Sequence, residues 1–377
     1  MAAADDPLPP DVTTTWKAPR RFPRESRLPG TGTISARPPA RRLPQEERMS
    51  SPTADPAYAS PVDLEAYGYY GPGRLDTSSG WQRPLYAFQD RVSADGSSGY
   101  RAEPGRYHLY VAWVCPWAQR TAIVRALKGL RDVVSLSYVD DDRDGRGWAF
   151  RERRGADPVN GFTLLQQAYD ATEPGFPGHL SVPVLWDRRT GRIVSNNFPD
   201  ITIDLGTEFD EWGDPGVRLY PPEHRAEIDE INQYVYDNVN NAPYKAAAAT
   251  TQEEYDQWRE RMSGALRRLD ERLAGRRHLV GDSVTEADVR LWPTLARFDR
   301  LYNPMSGMSE RSLPDFANLW AYARDLYQRP AFRDSTDFDT FDVGKPAFVN
   351  AGIDRLEVAP VHADWEQPHG RERLSES

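Results

Sequence analysis

The chain has 377 residues, enough for two domains with cores of their own. Lys and Arg total 47 against 57 Asp and Glu, a net charge of −10 that argues against a nucleic-acid binder. No run of about 18 apolar residues points to a membrane span, and a single cysteine without a secretory signal fits a reducing, cytoplasmic setting.

Residues 1–80 are rich in Pro, Arg, Ser and Ala and carry no apolar periodicity. Such a segment cannot offset its ordering entropy by burial, so it reads as a disordered, solvated arm. From 81 to 212 strands and helices alternate. Tyr107–Trp113 reads as a strand and the helix after Cys115 runs to about Leu127, with Gly129 as its C-terminal stop. Val133–Val139 is a second strand, a short helix falls near 161–170, and Val182–Trp186 and Arg192–Val194 form a hairpin. A helix near Asp200–Leu205 closes the unit. The order β-α-β-α-β-β-α is the thioredoxin arrangement, and it makes Pro183 the candidate cis proline beside the active site. From 220 to 334 apolar residues recur at spacings of three and four, as in Ile228, Ile231, Val235 and Val239, and predict an all-α substrate domain. Thr285 and Asp288 form a capping-box variant, and Pro293 is expected to kink the helix they open. Residues 335–377 read as an extended tail, packed for part of its length.

Cys115 is the sole cysteine. It precedes Pro116 and Trp117 at a predicted helix N-terminus, where unpaired N–H groups and the helix dipole favour a thiolate. A dithiol enzyme would carry its resolving cysteine at position 118, which is alanine. A mixed disulfide on Cys115 is therefore resolved only by an external thiol. Val182 beside Pro183 can pair with a peptide-like ligand, and Trp148, Arg151, Arg153 and Arg154 lie where a carboxylate can be clamped. Asp141, Asp142 and Asp144 read as a solvated turn, not a metal site, because Arg143 and Arg146 interleave them. Tyr244 and Tyr302 are either packed aromatics or phenols that donate to a developing oxyanion.

Together these motifs resemble the glutathionyl-hydroquinone reductases, the Xi-class or Omega-like glutathione transferases. The resemblance is carried by Gly105-Arg-Tyr-His-Leu-Tyr110, Cys115-Pro-Trp-Ala118, Gly147-Trp-Ala-Phe150, Val182-Pro-Val-Leu-Trp186, Val239-Asn-Asn241 with Tyr244-Lys-Ala246, and Gly281–Arg290. It implies a thioredoxin-like N-terminal domain plus an all-α bundle, a homodimer, and a thiol-dependent reductase. Cys115 would attack the sulfur of a thioether-conjugated hydroquinone, with Tyr244 and Tyr302 facing the aromatic ring and Trp148 and Val182 in the thiol site.

The chain departs from the family where Asn197 and Phe198 replace a Glu-Ser pair that holds the γ-glutamyl end of glutathione. It departs again after Tyr302 and over 337–350. The co-substrate is thus glutathione or a thiol lacking the γ-glutamyl ammonium, such as mycothiol, with no metal. A general monothiol thioltransferase acting on mixed disulfides and a non-catalytic transferase-like binding module are the alternatives.

Overall fold

The structure, a computed structural model, describes residues 57–70, 84–341, 349 and 352–375. Four strands form one sheet: β1 (Tyr107–Val111), β2 (Ser135–Tyr138), β3 (Val184–Asp187) and β4 (Arg192–Ser195), in the order β2-β1-β3-β4. β1 pairs in parallel with β2 and antiparallel with β3, and β3 pairs antiparallel with β4. All five residues of β1 are buried, as its central place and mostly apolar and aromatic character require. His108, its one imidazole, is buried between the Ser135 and Ser137 hydroxyls at 2.7 and 2.8 Å. Arg106 forks onto Asp187 at 2.9 and 2.7 Å and ties β1 to β3.

Three helices complete this half: α1 (Pro116–Leu127), α2 (Gln166–Thr172) and α3 (Phe198–Thr207). α1 begins with Pro at its first position and ends at Leu127, with Lys128 as its C-cap and Gly129 beyond it at φ 68°. The Val182–Pro183 peptide bond is cis, as its place in the strand order predicts. The helix expected near 161–170 begins later, at Gln166, because the Asp157 carboxylate takes the N–H groups of Val159, Asn160 and Phe162 into a turn.

The second half is helical: α4 (Arg225–Val235), α5 (Ala242–Ala247), α6 (Gln252–Arg272), α7 (Glu286–Arg297) and α8 (Ala317–Tyr327). Asp288 accepts from Thr285 N at 2.7 Å and from its hydroxyl at 3.1 Å, which closes the predicted cap. Pro293 lies inside α7, and the helix then widens into a π turn over Phe298–Tyr302; another π turn, Tyr236–Asn240, precedes α5. α1 packs against both α3 and α7. Buried Arg120 on α1 donates to the Arg290 carbonyl at 2.8 Å, and buried Glu286 on α7 accepts from Thr202 on α3 at 2.9 Å. The two halves therefore share one polar seam.

Two expectations are corrected. Residues 57–70, assigned to a disordered arm, dock on the loop after β2. Ala59 N bonds Phe150 O at 2.9 Å, Gly145 N bonds Gly68 O at 2.8 Å, and Arg146 stacks 4.0 Å from the Tyr67 ring centroid. A β-carbon on Gly145 would stand 2.0 Å from Tyr67 O, so glycine is what permits the approach. Local composition could not reveal this, because the partners lie some eighty residues away. Arg20, Arg37 and the other arm arginines fall outside the described residues, as do Lys345 and Phe348. The aspartate loop is also not a solvated turn. Asp144 is fully buried and bonds Arg146 and Asp63 N, while Asp140 takes Arg151 at 3.2 Å and also Arg153. Each carboxylate has an arginine to neutralise it.

Among the described residues no helix is long and apolar enough to cross a membrane, and no group of three His, Cys, Asp or Glu side chains could hold a metal ion.

Candidate active site

Cys115 sits at the N-cap of α1, partly exposed, with its S–H directed to the Val182 carbonyl at 3.6 Å. The turn that presents it is held at three points. Asp141 accepts from Val114 N at 3.1 Å, Cys115 N donates to Ala112 O at 3.2 Å, and Arg297 donates to Trp113 O at 2.9 Å. Ala118 is fully buried one turn on, among core side chains. No second thiol can reach Cys115 from within the chain.

The helical half supplies a phenol pair. The Tyr244 and Tyr302 hydroxyls are 2.8 Å apart, their rings meet edge-on at 5.5 Å, and Tyr244 lies 6.5 Å from the Trp117 ring. Burial raises both phenols above their ordinary range. At Tyr302 the Arg297 cation and the bond from Tyr244 offset that rise, whereas Tyr302 pushes Tyr244 further up. The pair is thus a neutral proton source whose charge, once formed, is better tolerated on the Tyr302 oxygen.

Arg297 was missed at the level of sequence. It is wholly buried, bonds the Pro293 and Trp113 carbonyls and Gln119, and stands 3.9 Å from the Phe341 ring centroid. Burial lowers its basicity, and Tyr302, Tyr244 and Cys115 lead the groups that counter this. Its place near the end of an amphipathic helix resembles any solvated arginine, so nothing local marks it.

The expected thiol-binding residues divide. Val182 and cis Pro183 lie beside Cys115, and Trp148 is buried with its indole N–H lacking an acceptor among the described residues. Arg151, Arg153 and Arg154 are not free clamps: Arg151 is buried against Asp140, Arg153 pairs with Asp140 and Asp142, and Arg154 with Asp141 and Asp337. Arg143 carries no such partner among the described residues. It stacks 4.1 Å from the Trp148 ring centroid and 5.1 Å from that of Tyr70. Asp142 and Asp144 flank it in sequence, but both turn to other arginines.

Asn197 is buried, donates to Asp200 Oδ2 at 2.7 Å, and leaves its own Oδ1 without a partner among the described residues. Phe198 does not line the site. Its ring is enclosed by Trp117 and Tyr86, with the Arg120 and Arg290 guanidinium groups 5.0 and 4.8 Å from its centroid. An aromatic here fills the seam between the halves and meets two buried cations.

A thioredoxin-like half with its cysteine at a helix N-terminus, joined to a helical half that faces it with phenols, defines a glutathione-transferase-type enzyme. Residues 114–207 match the glutathione S-transferase N-terminal domain and 252–325 the glutathione S-transferase C-terminal domain. The chain is 38% identical over 309 residues to the glutathionyl-hydroquinone reductase YqjG of Escherichia coli, covering 78% of this chain and 93% of that protein. The glutathione-bound structure of YqjG superposes with a TM-score of 0.70 at 36% identity, over 76% of this chain and 96% of that one. A Xi-class glutathione transferase from Natrialba magadii gives a TM-score of 0.71 at 36% identity, over 78% and 95%. The chain belongs to the glutathionyl-hydroquinone reductase family, the Xi-class glutathione transferases, and is an enzyme of the glutathione-transferase-like reductase type.

Proposed function

We propose that the chain removes glutathione from thioether-conjugated hydroquinones through a mixed disulfide on Cys115. The observation that carries this reading is the pairing of a lone thiol with two hydrogen-bonded phenols, Tyr302 buried and Tyr244 half-buried. The Cys115 thiolate attacks the thioether sulfur, the S–S bond forms as the carbon–sulfur bond breaks, and the electron pair goes to the ring carbon. That carbon needs a proton to become hydroquinone, and the Tyr244–Tyr302 pair is positioned to supply one. A second glutathione then attacks the mixed disulfide, releases oxidised glutathione and restores the thiolate. Val182, Pro183 and Trp148 bind the first thiol. Arg297 supports charge on the turn and on the phenols.

Glutathione is favoured over mycothiol because Asn197 still offers a bare acceptor to an ammonium group, although a neutral one. The neutral acceptor is expected to bind it more weakly than a carboxylate would, by about 1–2 kcal/mol.

The test is intact-mass measurement with turnover. Wild-type protein incubated with a glutathionyl-hydroquinone should release hydroquinone and gain one glutathione adduct, and Cys115→Ser should do neither. An adduct only with a mycothiol conjugate would change the thiol. An adduct from disulfides but never from thioethers would make the chain a general thioltransferase. Ligand binding without any adduct would make it a binding module.

A further inference from the structure

The loop that follows β2 holds a cation unlike its neighbours. Arg146, Arg151, Arg153 and Arg154 each meet an aspartate, whereas Arg143 forms no hydrogen bond or ion pair among the described residues. Its guanidinium lies against the Trp148 ring at 4.1 Å and near that of Tyr70 at 5.1 Å. Both walls are fixed. Trp148 is buried, and the Tyr70 hydroxyl accepts from Leu180 N at 2.8 Å and meets His179 Nδ1 at 3.0 Å. A β-carbon on Gly147 would stand 3.2 Å from the Tyr70 ring, so glycine lets that ring close over the loop. Leu180 lies two residues before Val182, whose carbonyl receives the Cys115 thiol.

Two rings therefore hold a guanidinium with its donors uncommitted. Burial disfavours its charge, and Tyr70, Cys115 and Tyr244 favour it, which sets it within electrostatic reach of the nucleophile; no carboxylate among the described residues pairs with it. The unpartnered Trp148 indole N–H lies at the same place. A ligand carboxylate would satisfy the fork of a guanidinium whose plane is already set.

We propose that Arg143 is the anion receptor of the thiol site, taking a carboxylate of the small thiol, and that Tyr70 from the docked segment 57–70 is a wall of that receptor. The assignment rests on the thiol-dependent reading above and selects carboxylated thiols over neutral ones.

The test is calorimetric binding of S-methylglutathione and of its dimethyl ester, neither of which reacts. Wild type should prefer the free acid, and Arg143→Gln should weaken the acid roughly ten- to hundredfold and the ester less than about threefold. Tyr70→Leu should lose part of the same preference. Equal weakening of acid and ester by Arg143→Gln would show a packing role and overturn the receptor, as would an unchanged acid affinity or a wild type that binds neither form. Hydroquinone release is scored separately. Arg143-dependent acid binding without release sinks the reductase reading alone, and release with Arg143-independent binding sinks the receptor alone.

Discussion

Phenylalanine at Tyr244 or Tyr302 tests whether the two phenols act as one proton source. Their oxygens are 2.8 Å apart, so removal of either hydroxyl breaks the contact through which a proton lost to substrate is shared. Arg297 supports a negative Tyr302 oxygen and Tyr302 disfavours one on Tyr244, so the Tyr302 hydroxyl is the better donor and Tyr244 its support. General-acid catalysis contributes about 10²–10⁴-fold, or about 3–5 kcal/mol on the barrier. Each single variant should lose a factor in that range, with Tyr302→Phe the slower. The double variant should be no slower than Tyr302→Phe, because residues that act as a unit do not add. The assay is stopped-flow, single-turnover release of hydroquinone from a glutathionyl conjugate, run beside reduction of a small mixed disulfide. The disulfide expels a thiolate and needs no proton on carbon, so it should slow by less than about threefold by comparison. Equal slowing of both reactions, or a double variant whose loss is the product of the single losses, would refute the relay.

Three further outcomes are expected. His108 is buried neutral, its imidazole pushed down to about 3 by burial first and by Arg188 and Arg125 next. The unfolded imidazole takes its proton near 6.5, so stability present above pH 6.5 falls by up to about 1.4 kcal/mol per pH unit as pH drops toward 3. Urea midpoints of His108→Gln against pH should lack that slope, and parallel curves for the two proteins would contradict it. Arg297→Met removes charged bonds to two buried carbonyls and Gln119 and should cost about 2–4 kcal/mol in urea unfolding. Arg297→Lys should recover less than half, since an ammonium cannot span those acceptors; full recovery would argue against the fork. Gly145→Ala should release residues 57–70 while the core stays folded, seen as faster amide exchange at Ala59 with an unchanged global midpoint. Unchanged exchange there would show that the close approach to Tyr67 is not needed.

What the sequence made legible was what depends on neighbours in the chain. The apolar run of β1, the Cys-Pro helix start, the Thr285–Asp288 cap and the proline before β3 each express a local rule, and each appears where expected. The sequence singled out Cys115 and, through resemblance, Tyr244 and Tyr302, and the fold sets the thiol at a helix N-cap and the two phenols 2.8 Å apart. The electrostatics around them were not legible, because they depend on which aspartate turns to which arginine across the loop 140–154. Arg151, Arg153 and Arg154 looked like free cations and are neutralised, whereas Arg143, read only as part of a solvated turn, forms no ion pair among the described residues. Phe198 looked like an altered ligand contact, yet the first turn of α3 directs its ring into the seam between the halves. The segment 57–70 was invisible for a different reason. A single turn over Leu64–Tyr67 has no periodicity to read, and its stability comes from partners such as Asp144 and Gly145.

The π turn at Phe298–Tyr302 has a bearing on how this helix tolerates changes of length. It lies in an unbroken helical run from Glu286 through Ser306, with Tyr302 as its last residue. A π turn accommodates one residue more than an α turn, and each residue of an α-helix advances the azimuth by about 100°. Deleting a single residue there would let the backbone relax to α geometry without losing the helix. It would leave Asn303 and everything after it in phase, while Tyr302 and its neighbours lost the slack that sets their angle. Aligned against a relative with a one-residue gap in this stretch, the chain would keep its tyrosine by letter and lose it by direction.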